Sequence, residues 1–301
     1  VRGGRVPVDV RRGLTDGLRL AAGGGVAAHE ESARYRSRSA PWSGGVVRVG
    51  AMTIRVAVVG AAGRMGSTVC QAVQDAEGLE LVARLDVGDR IVPATLGGAQ
   101  VAVDFTVPDV TEANVHALIE AGVDAVVGTT GWTEESYARV AEHLARPEAA
   151  GRAVLIAPNF ALSAVLAMGF AARAARYFES VEVIELHHPD KVDAPSGTAA
   201  ATARAVAAAR AEAGLGVSPD ATRTDPLGAR GAVVDGVHVH AVRLRGLTAH
   251  EEVVLGNSGE QLTIRTDCFD RSSFMPGVIL AVREVGARPG LTIGLDRLLD
   301  L

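Results

Sequence analysis

The stretch Ile54–Gly66 reads IRVAVVGAAGRMG. Its first half is a short β-branched run, the composition of a strand buried on both faces. Its second half spaces Gly60, Gly63 and Gly66 as GxxGxxG. Glycine lets the backbone turn sharply and approach a pyrophosphate, and the helix that follows offers free N–H groups to the anion. In a chain with 35 glycines the bare pattern is weak. Its position, after the first regular strand and opening the first helix, turns it into an expectation of dinucleotide binding, against the alternative of a structural Gly-rich turn.

The residues that follow repeat the same alternation. Leu79–Leu85 reads as a strand ending at Asp86, and Val101–Phe105 (VAVDF) as a third strand. Val110–Ala121 is helical in pattern, Ala125–Val127 returns to strand before GTTGW, Glu134–Ala145 is helical, and Val154–Ile156 is a strand before APNF. Strands and helices at this spacing predict βαβ units, hence a Rossmann-like, doubly wound parallel sheet. Ligands of such sheets sit outside the carboxyl ends of the strands. Gly128, Thr129 and Thr130 in one loop, and Ala157, Pro158, Asn159 and Phe160 in another, are therefore expected to line the ribose and nicotinamide. Asp86 can accept hydrogen bonds from ribose hydroxyls, which favours NADH, while Arg64 and Arg84 could welcome the extra phosphate of NADPH. The sequence leaves both open.

After Phe160 the texture changes. Ala161–Phe178 is a long apolar helical pattern, Val181–Leu186 (VEVIEL) a strand, and roughly Ala199–Ala213 an Ala-rich helix. Residues 214–231 are broken by glycine and proline and read as loop. Val237–Leu244, Glu251–Gly256 and Gln261–Cys268 alternate as strands of an antiparallel or mixed sheet. Phe274–Val285 is helical and returns to the first sheet. The expected organisation is a dinucleotide-binding domain at 53–159, joined by 270–301, and a second α+β domain at 160–269 for substrate and oligomerisation.

The chemistry is concentrated in Glu185–Ala199, ELHHPDKVDAPSGTA. Lys191 is the only lysine of the chain; the other 29 basic residues are arginine. Arginine cannot lose its proton near neutrality, whereas a crowded lysine can. His187 and His188 stand beside it, and an imidazole suits proton donation near pH 7. Ser196-Gly197-Thr198 opens a helix whose N–H groups and hydroxyls can grip an anion. The adjacent histidines point apart and no third ligand has helpful spacing, so no metal is expected. His238 and His240 share one strand face and are expected to be solvated or packed, and Asp193 to stabilise the loop. A Schiff-base lyase acting through Lys191 and a non-catalytic dinucleotide sensor are the competing readings. The first leaves the glycine loop without a purpose, and the second leaves the His-His-Lys group without one.

Composition narrows the function classes. The net charge of −5 argues against a general nucleic-acid binder. Cys70 and Cys268 are too few for a disulfide framework and point to packed thiols in a reducing, cytoplasmic setting. No run approaches the roughly 20 apolar residues of a membrane span. Residues 1–52 carry nine Arg against four acids and lack apolar periodicity. They are expected to be disordered; a transit peptide finds no amphipathic face, and a start assigned too early, before Met52, is the preferred explanation.

The run ELHHPDKVDAPSGTA resembles the signature of the 4-hydroxy-tetrahydrodipicolinate reductases (dihydrodipicolinate reductases) of lysine biosynthesis, roughly E-x-H-H-x-x-K-x-D-x-P-S-G-T-A, with every fixed position present. VAVVGAAGRMG, VDFT, VGTTGW and APNF follow the same family's order, from about Thr53 onward. The resemblance implies reduction of a cyclic dicarboxylate of the diaminopimelate route with NADH or NADPH, and a cytoplasmic homotetramer built through the second sheet. It implies His187 as proton donor and acceptor and Lys191 as second acid. His188, Ser196, Gly197 and Thr198 then contact substrate. Gly60, Ala61, Ala62, Gly63, Arg64, Met65, Asp86, Gly128, Thr129, Thr130, Ala157, Pro158, Asn159 and Phe160 contact the cofactor. Asp190, at a position the family varies, is expected to hold Lys191 protonated.

Overall fold

The structure is a computed structural model that describes residues 53–299. The expectations for residues 1–52 lie outside the described residues. Eleven strands form two sheets among the described residues. The first sheet contains β1 (Ile54–Val59), β2 (Leu79–Leu85), β3 (Val101–Asp104), β4 (Asp124–Val127), β5 (Ala153–Ile156) and β11 (Gly290–Ile293). Their order is β11-β5-β4-β3-β1-β2, and every pairing is parallel.

Alternate residues of these strands feed two separate cores, which is why the central strands β3, β4 and β5 are buried along their whole length. Val56, Val58, Val103 and Leu155 pack under α1 (Arg64–Asp75) and α6 (Met275–Glu284). Ala57, Ala102, Val127 and Ile156 pack under α2 (Pro108–Glu120) and α3 (Glu134–Leu144). The sheet is thus covered on both faces, as the alternation of elements predicts.

The second sheet contains β6 (Ser180–His187), β7 (Ala232–Val234), β8 (Val237–Arg243), β9 (Ala249–Asn257) and β10 (Glu260–Cys268), in the order β10-β9-β6-β8-β7. Only β6 and β8 run parallel; the sheet is mixed. The helices α4 (Leu162–Ala175) and α5 (Gly197–Glu212) pack against one face, on Val181, Val183, Val239, Val253 and Leu255. The opposite face presents Ile184, Leu186, Val242 and Val254 partly exposed, with Leu244 just beyond β8.

Two short strands escape the sequence pattern. β7 and β11 span three and four residues, no shorter than β3, β4 and β5 by more than one residue, but unlike those fully buried strands they are partly exposed and form no closed apolar run. β11 matters most, because it extends the first sheet beside β5, with Gly290 opposite Ala153 and Ile293 opposite Ile156. Both cysteines are buried free thiols. No helix among the described residues is long and apolar enough to cross a membrane.

Candidate active site

The loops that follow β1, β2 and β3 meet at the carboxyl end of the first sheet. Between them lies a groove of about 640 Å³ lined by Gly60, Gly63, Arg64, Met65, Asp86, Phe105, Thr106 and Arg271, among others. The spacing of the glycine loop is a packing requirement. A Cβ on Gly66 would lie 2.0 Å from the Gly60 carbonyl oxygen, so only glycine lets α1 start this close to the loop. A Cβ on Gly128 would lie 2.0 Å from the Phe105 ring, which leans over the β4 loop. No side chain caps α1, so its first-turn N–H groups face the groove mouth without a protein acceptor from the cap residue.

Asp86 is fixed where β2 ends. Its carboxylate accepts from Ala62 N at 2.6 Å and Val87 N at 2.8 Å. These bonds, from Val87 foremost, hold its pKa below the ordinary carboxylate value. Arg84 takes no part in the groove; it donates to Gln74 of α1 at 3.1 Å. The cations lining the groove are Arg64 and Arg271. Arg271 comes from the far end of the chain, and no local pattern marks it.

Beneath the loops, fully buried Asp104 accepts from Thr106 Oγ1 (2.7 Å), Asn114 Nδ2 (2.8 Å) and Thr129 Oγ1 (2.9 Å). Thr129 therefore points inward and braces the β3 and β4 loops against each other. Ala157 and Phe160 are buried in the first sheet's core, leaving Pro158 and Asn159 of that loop at a cavity wall.

That second cavity, of about 200 Å³, is lined by Pro158, Asn159, His187, Ser196, Thr198 and Glu251, with apolar residues of α4 and β10. Asn159 Nδ2 donates to Thr198 Oγ1 at 3.3 Å, so the β5 loop and the start of α5 touch. Ser196 is the N-cap of α5, its Oγ accepting from Ala199 N at 3.1 Å.

His187 ends β6 on the helix-covered face, the same face as Glu185. The Glu185 Oε2 lies 2.5 Å from His187 Nδ1, and its Oε1 accepts from Ser196 N at 3.0 Å. Arg243 of β8 grips both oxygens, at 2.7 and 2.8 Å. Burial pushes Glu185 up, but Arg243 and then His187 outweigh it and hold it ionised, below its ordinary value. With that carboxylate accepting at Nδ1, the Nε2 of His187 is the nitrogen left for chemistry. Burial lowers the His187 pKa; Glu185 opposes this, and the Lys191 and Arg243 charges reinforce it.

Lys191 lies outside this cavity lining. Its Nζ donates to Asp193 at 2.7 Å. The carboxylate partner of Lys191 is therefore Asp193, two residues on, and not Asp190 as expected; the turn at 189–190 carries the Asp190 side chain outward. His188 is exposed, and Gly197 opens α5 without lining the cavity. His238 and His240 lie on the other face of the sheet. His240 Nε2 is 2.7 Å from Glu182, and His238 Nδ1 2.7 Å from the Arg230 carbonyl oxygen. Among the described residues no group of acids, histidines and cysteines is gathered as a metal site.

A parallel sheet carrying a glycine-loop groove, in contact with a mixed sheet that ends in a carboxylate-held histidine, is the plan of a two-part dinucleotide-dependent oxidoreductase. Sequence profiles described as "Dihydrodipicolinate reductase, N-terminus" and "Dihydrodipicolinate reductase, C-terminus" match residues 54–160 and 163–299. The chain belongs to the dihydrodipicolinate reductase family. It is 68% identical over 250 residues to the 4-hydroxy-tetrahydrodipicolinate reductase of Beutenbergia cavernae, covering 83% of this chain and all of that one. It is 64% identical over 253 residues to that of Bifidobacterium animalis subsp. lactis, covering 82% of this chain and all of the relative. Among solved structures it resembles a dipicolinate-bound dihydrodipicolinate reductase from Paenisporosarcina sp. TG-14, with 35% identity and a TM-score of 0.72, covering 82% of this chain and all of the other.

Proposed function

We propose that this chain reduces 4-hydroxy-tetrahydrodipicolinate to tetrahydrodipicolinate, with NADH or NADPH, in the cytoplasmic route to diaminopimelate and lysine. One observation carries the reading. A histidine held by a buried carboxylate shares a cavity with a helix N-terminus, and that cavity touches the β5 loop of the dinucleotide-type sheet.

The residues present fit a dinucleotide. The glycine loop leaves room that a single Cβ would fill, and the uncapped start of α1 suits a pyrophosphate. Gly60 to Met65 would hold the phosphates and Asp86 the adenosine ribose. Gly128 to Thr130 and Ala157 to Phe160 would hold the nicotinamide end, largely through backbone. A reduced pyridine dinucleotide supplies a hydride when bound. The remaining work falls to the chain. Ser196 and Thr198, with the α5 N–H groups and His188, hold a substrate carboxylate. His187 Nε2 takes up and delivers a proton, and the ionised Glu185 at Nδ1 stabilises the imidazolium in between. Lys191, steadied by Asp193, supplies the second acid. A Schiff-base role for Lys191 would need a neutral, desolvated amine, and the 2.7 Å ion pair with Asp193 favours the acid role.

The division into a nucleotide part (53–159 with 270–301) and a substrate part (160–269) follows the two sheets. The partly exposed apolar face of the second sheet supports a homotetramer assembled through it. The test is NADH or NADPH oxidation with freshly made substrate, on wild type and on Lys191→Ala. Turnover should fall sharply in the variant while cofactor binding persists; a wild type that binds NADH but never oxidises it would refute the reading.

A further inference from the structure

The proposed chemistry uses Glu185 and leaves a second acid of the same cavity unexplained. Glu251 on β9 stands directly across from Glu185 on β6 and from Thr266 on β10. It is 4% exposed and lines the cavity with His187, Ser196 and Thr198. Its Oε1 accepts from Thr202 Oγ1 of α5 at 2.7 Å. Its Oε2 has no partner, and among the described residues it is the one buried side-chain oxygen or nitrogen in that position.

Of the groups facing Glu251, only His187 can carry a positive charge. From β6 come Glu185, already shared among Arg243, His187 and the Ser196 amide, and His187 itself. From β10 come the Thr266 hydroxyl and the Cys268 thiol, and from α5 only Thr202. The α4 side contributes alanines and Asn159. The neighbouring His250 is engaged by Asp267 at 2.6 Å. A buried carboxylate with one neutral donor and an ionised carboxylate alongside is driven to keep its proton. Burial, and then the Glu185 charge, outweigh the Thr202 hydroxyl and raise its pKa to about 6. Because Thr202 occupies Oε1, the proton belongs on Oε2, where an acid O–H has no acceptor within the protein.

We propose that Glu251 is a substrate-recognition residue of this cavity: its Oε2–H donates to a carboxylate oxygen of the dicarboxylate ligand, and an ionised Glu251 must take up a proton before the ligand can bind. The proposal rests on reading the cavity as the substrate site. It gives the cavity a donor that fails as the pH rises, beside the helix-start donors that do not.

The test is calorimetric titration of dipicolinate into the NADH-saturated enzyme at pH 7.5, in two buffers of different ionisation enthalpy. Wild type should take up close to one proton per ligand, and Glu251→Gln, which keeps a donor but cannot ionise, should take up about one fewer. From pH 6.5 to 7.5 wild-type affinity should fall about eightfold more than that of the Gln variant, if only the protonated fraction binds. Equal proton uptake in the two proteins would overturn the proposal while leaving the cavity assignment intact. A wild type that binds no dipicolinate would overturn both. Should the variant fold poorly, the absence of proton uptake by wild type alone is enough to reject the idea.

Discussion

The two ends that meet at Asn159 are built in opposite ways. The carboxyl end of the first sheet makes its candidate site by leaving atoms out: Gly60, Gly66 and Gly128 stand where a methyl group would collide with backbone or ring. The end of the second sheet makes its site by putting charge in, with Glu185, His187, Arg243 and Glu251 gathered in and around one apolar-walled cavity. The first should therefore be sensitive to added bulk and the second to lost charge.

The largest break should come from His187→Asn, with kcat falling about a thousandfold. Cofactor affinity, measured by fluorescence quenching, should stay within a factor of two if the ends are as separable as proposed. Glu185→Gln comes next. It leaves the Arg243 guanidinium without its buried partner and should cost up to about 3 kcal/mol of stability at pH 7, read by urea unfolding. Glu185 has a lowered pKa in the fold, so its contribution is full above the ordinary value of 4.5 and is lost as the pH falls through the lower folded value. The difference between wild type and variant should accordingly shrink in acid.

Glu251 reverses that sign. Its pKa is raised from 4.5 to about 6, so its contribution is full below 4.5 and is lost as the pH rises through about 6. Glu251→Gln should therefore be more stable than wild type by up to about 2 kcal/mol at pH 7.5. At pH 4 the two should unfold alike. On the nucleotide side, Gly66→Ala should weaken NADH binding about tenfold, near 1.4 kcal/mol, with the dipicolinate affinity of the NADH-saturated protein little changed. The smallest effect belongs to Arg84→Ala. Its side chain rests on Gln74, so the ratio of NADH to NADPH affinity should not move; a shift would mean that Arg84 leaves α1 when the phosphate arrives.

The same contrast explains what was legible in the sequence. A site made of glycines at fixed spacing after a strand is written locally, and the parallel sheet with its loops can be read from the strand–helix alternation. A site made of paired charges is written across distant segments. Period-two alternation puts Glu185 on the face of His187, but nothing local joins it to Arg243, 58 residues on. In the His250-Glu251-Glu252 run, only the strand register shows which glutamate turns inward. For Lys191 the neighbouring acid Asp190 was the natural partner in one dimension; the bend of the loop delivers Asp193 instead. β7 and β11 escape because, unlike the equally short but fully buried β3, β4 and β5, they lie partly exposed among glycines and make no closed apolar run.

β11 also sets a schedule. Strand β5 lacks its outer neighbour, and the core under the first sheet lacks α6, until residues 275–293 are joined to the chain. On a ribosome the glycine loop emerges early, yet the layer that supports it is finished only after the whole second sheet has been made. Synthesis should therefore leave the first sheet, the proposed nucleotide-binding half, waiting, partly open, for its last strand. Trimming the chain before Gly290 should impair NADH binding even though every proposed NADH contact in β1 to β5 and their loops would still be present.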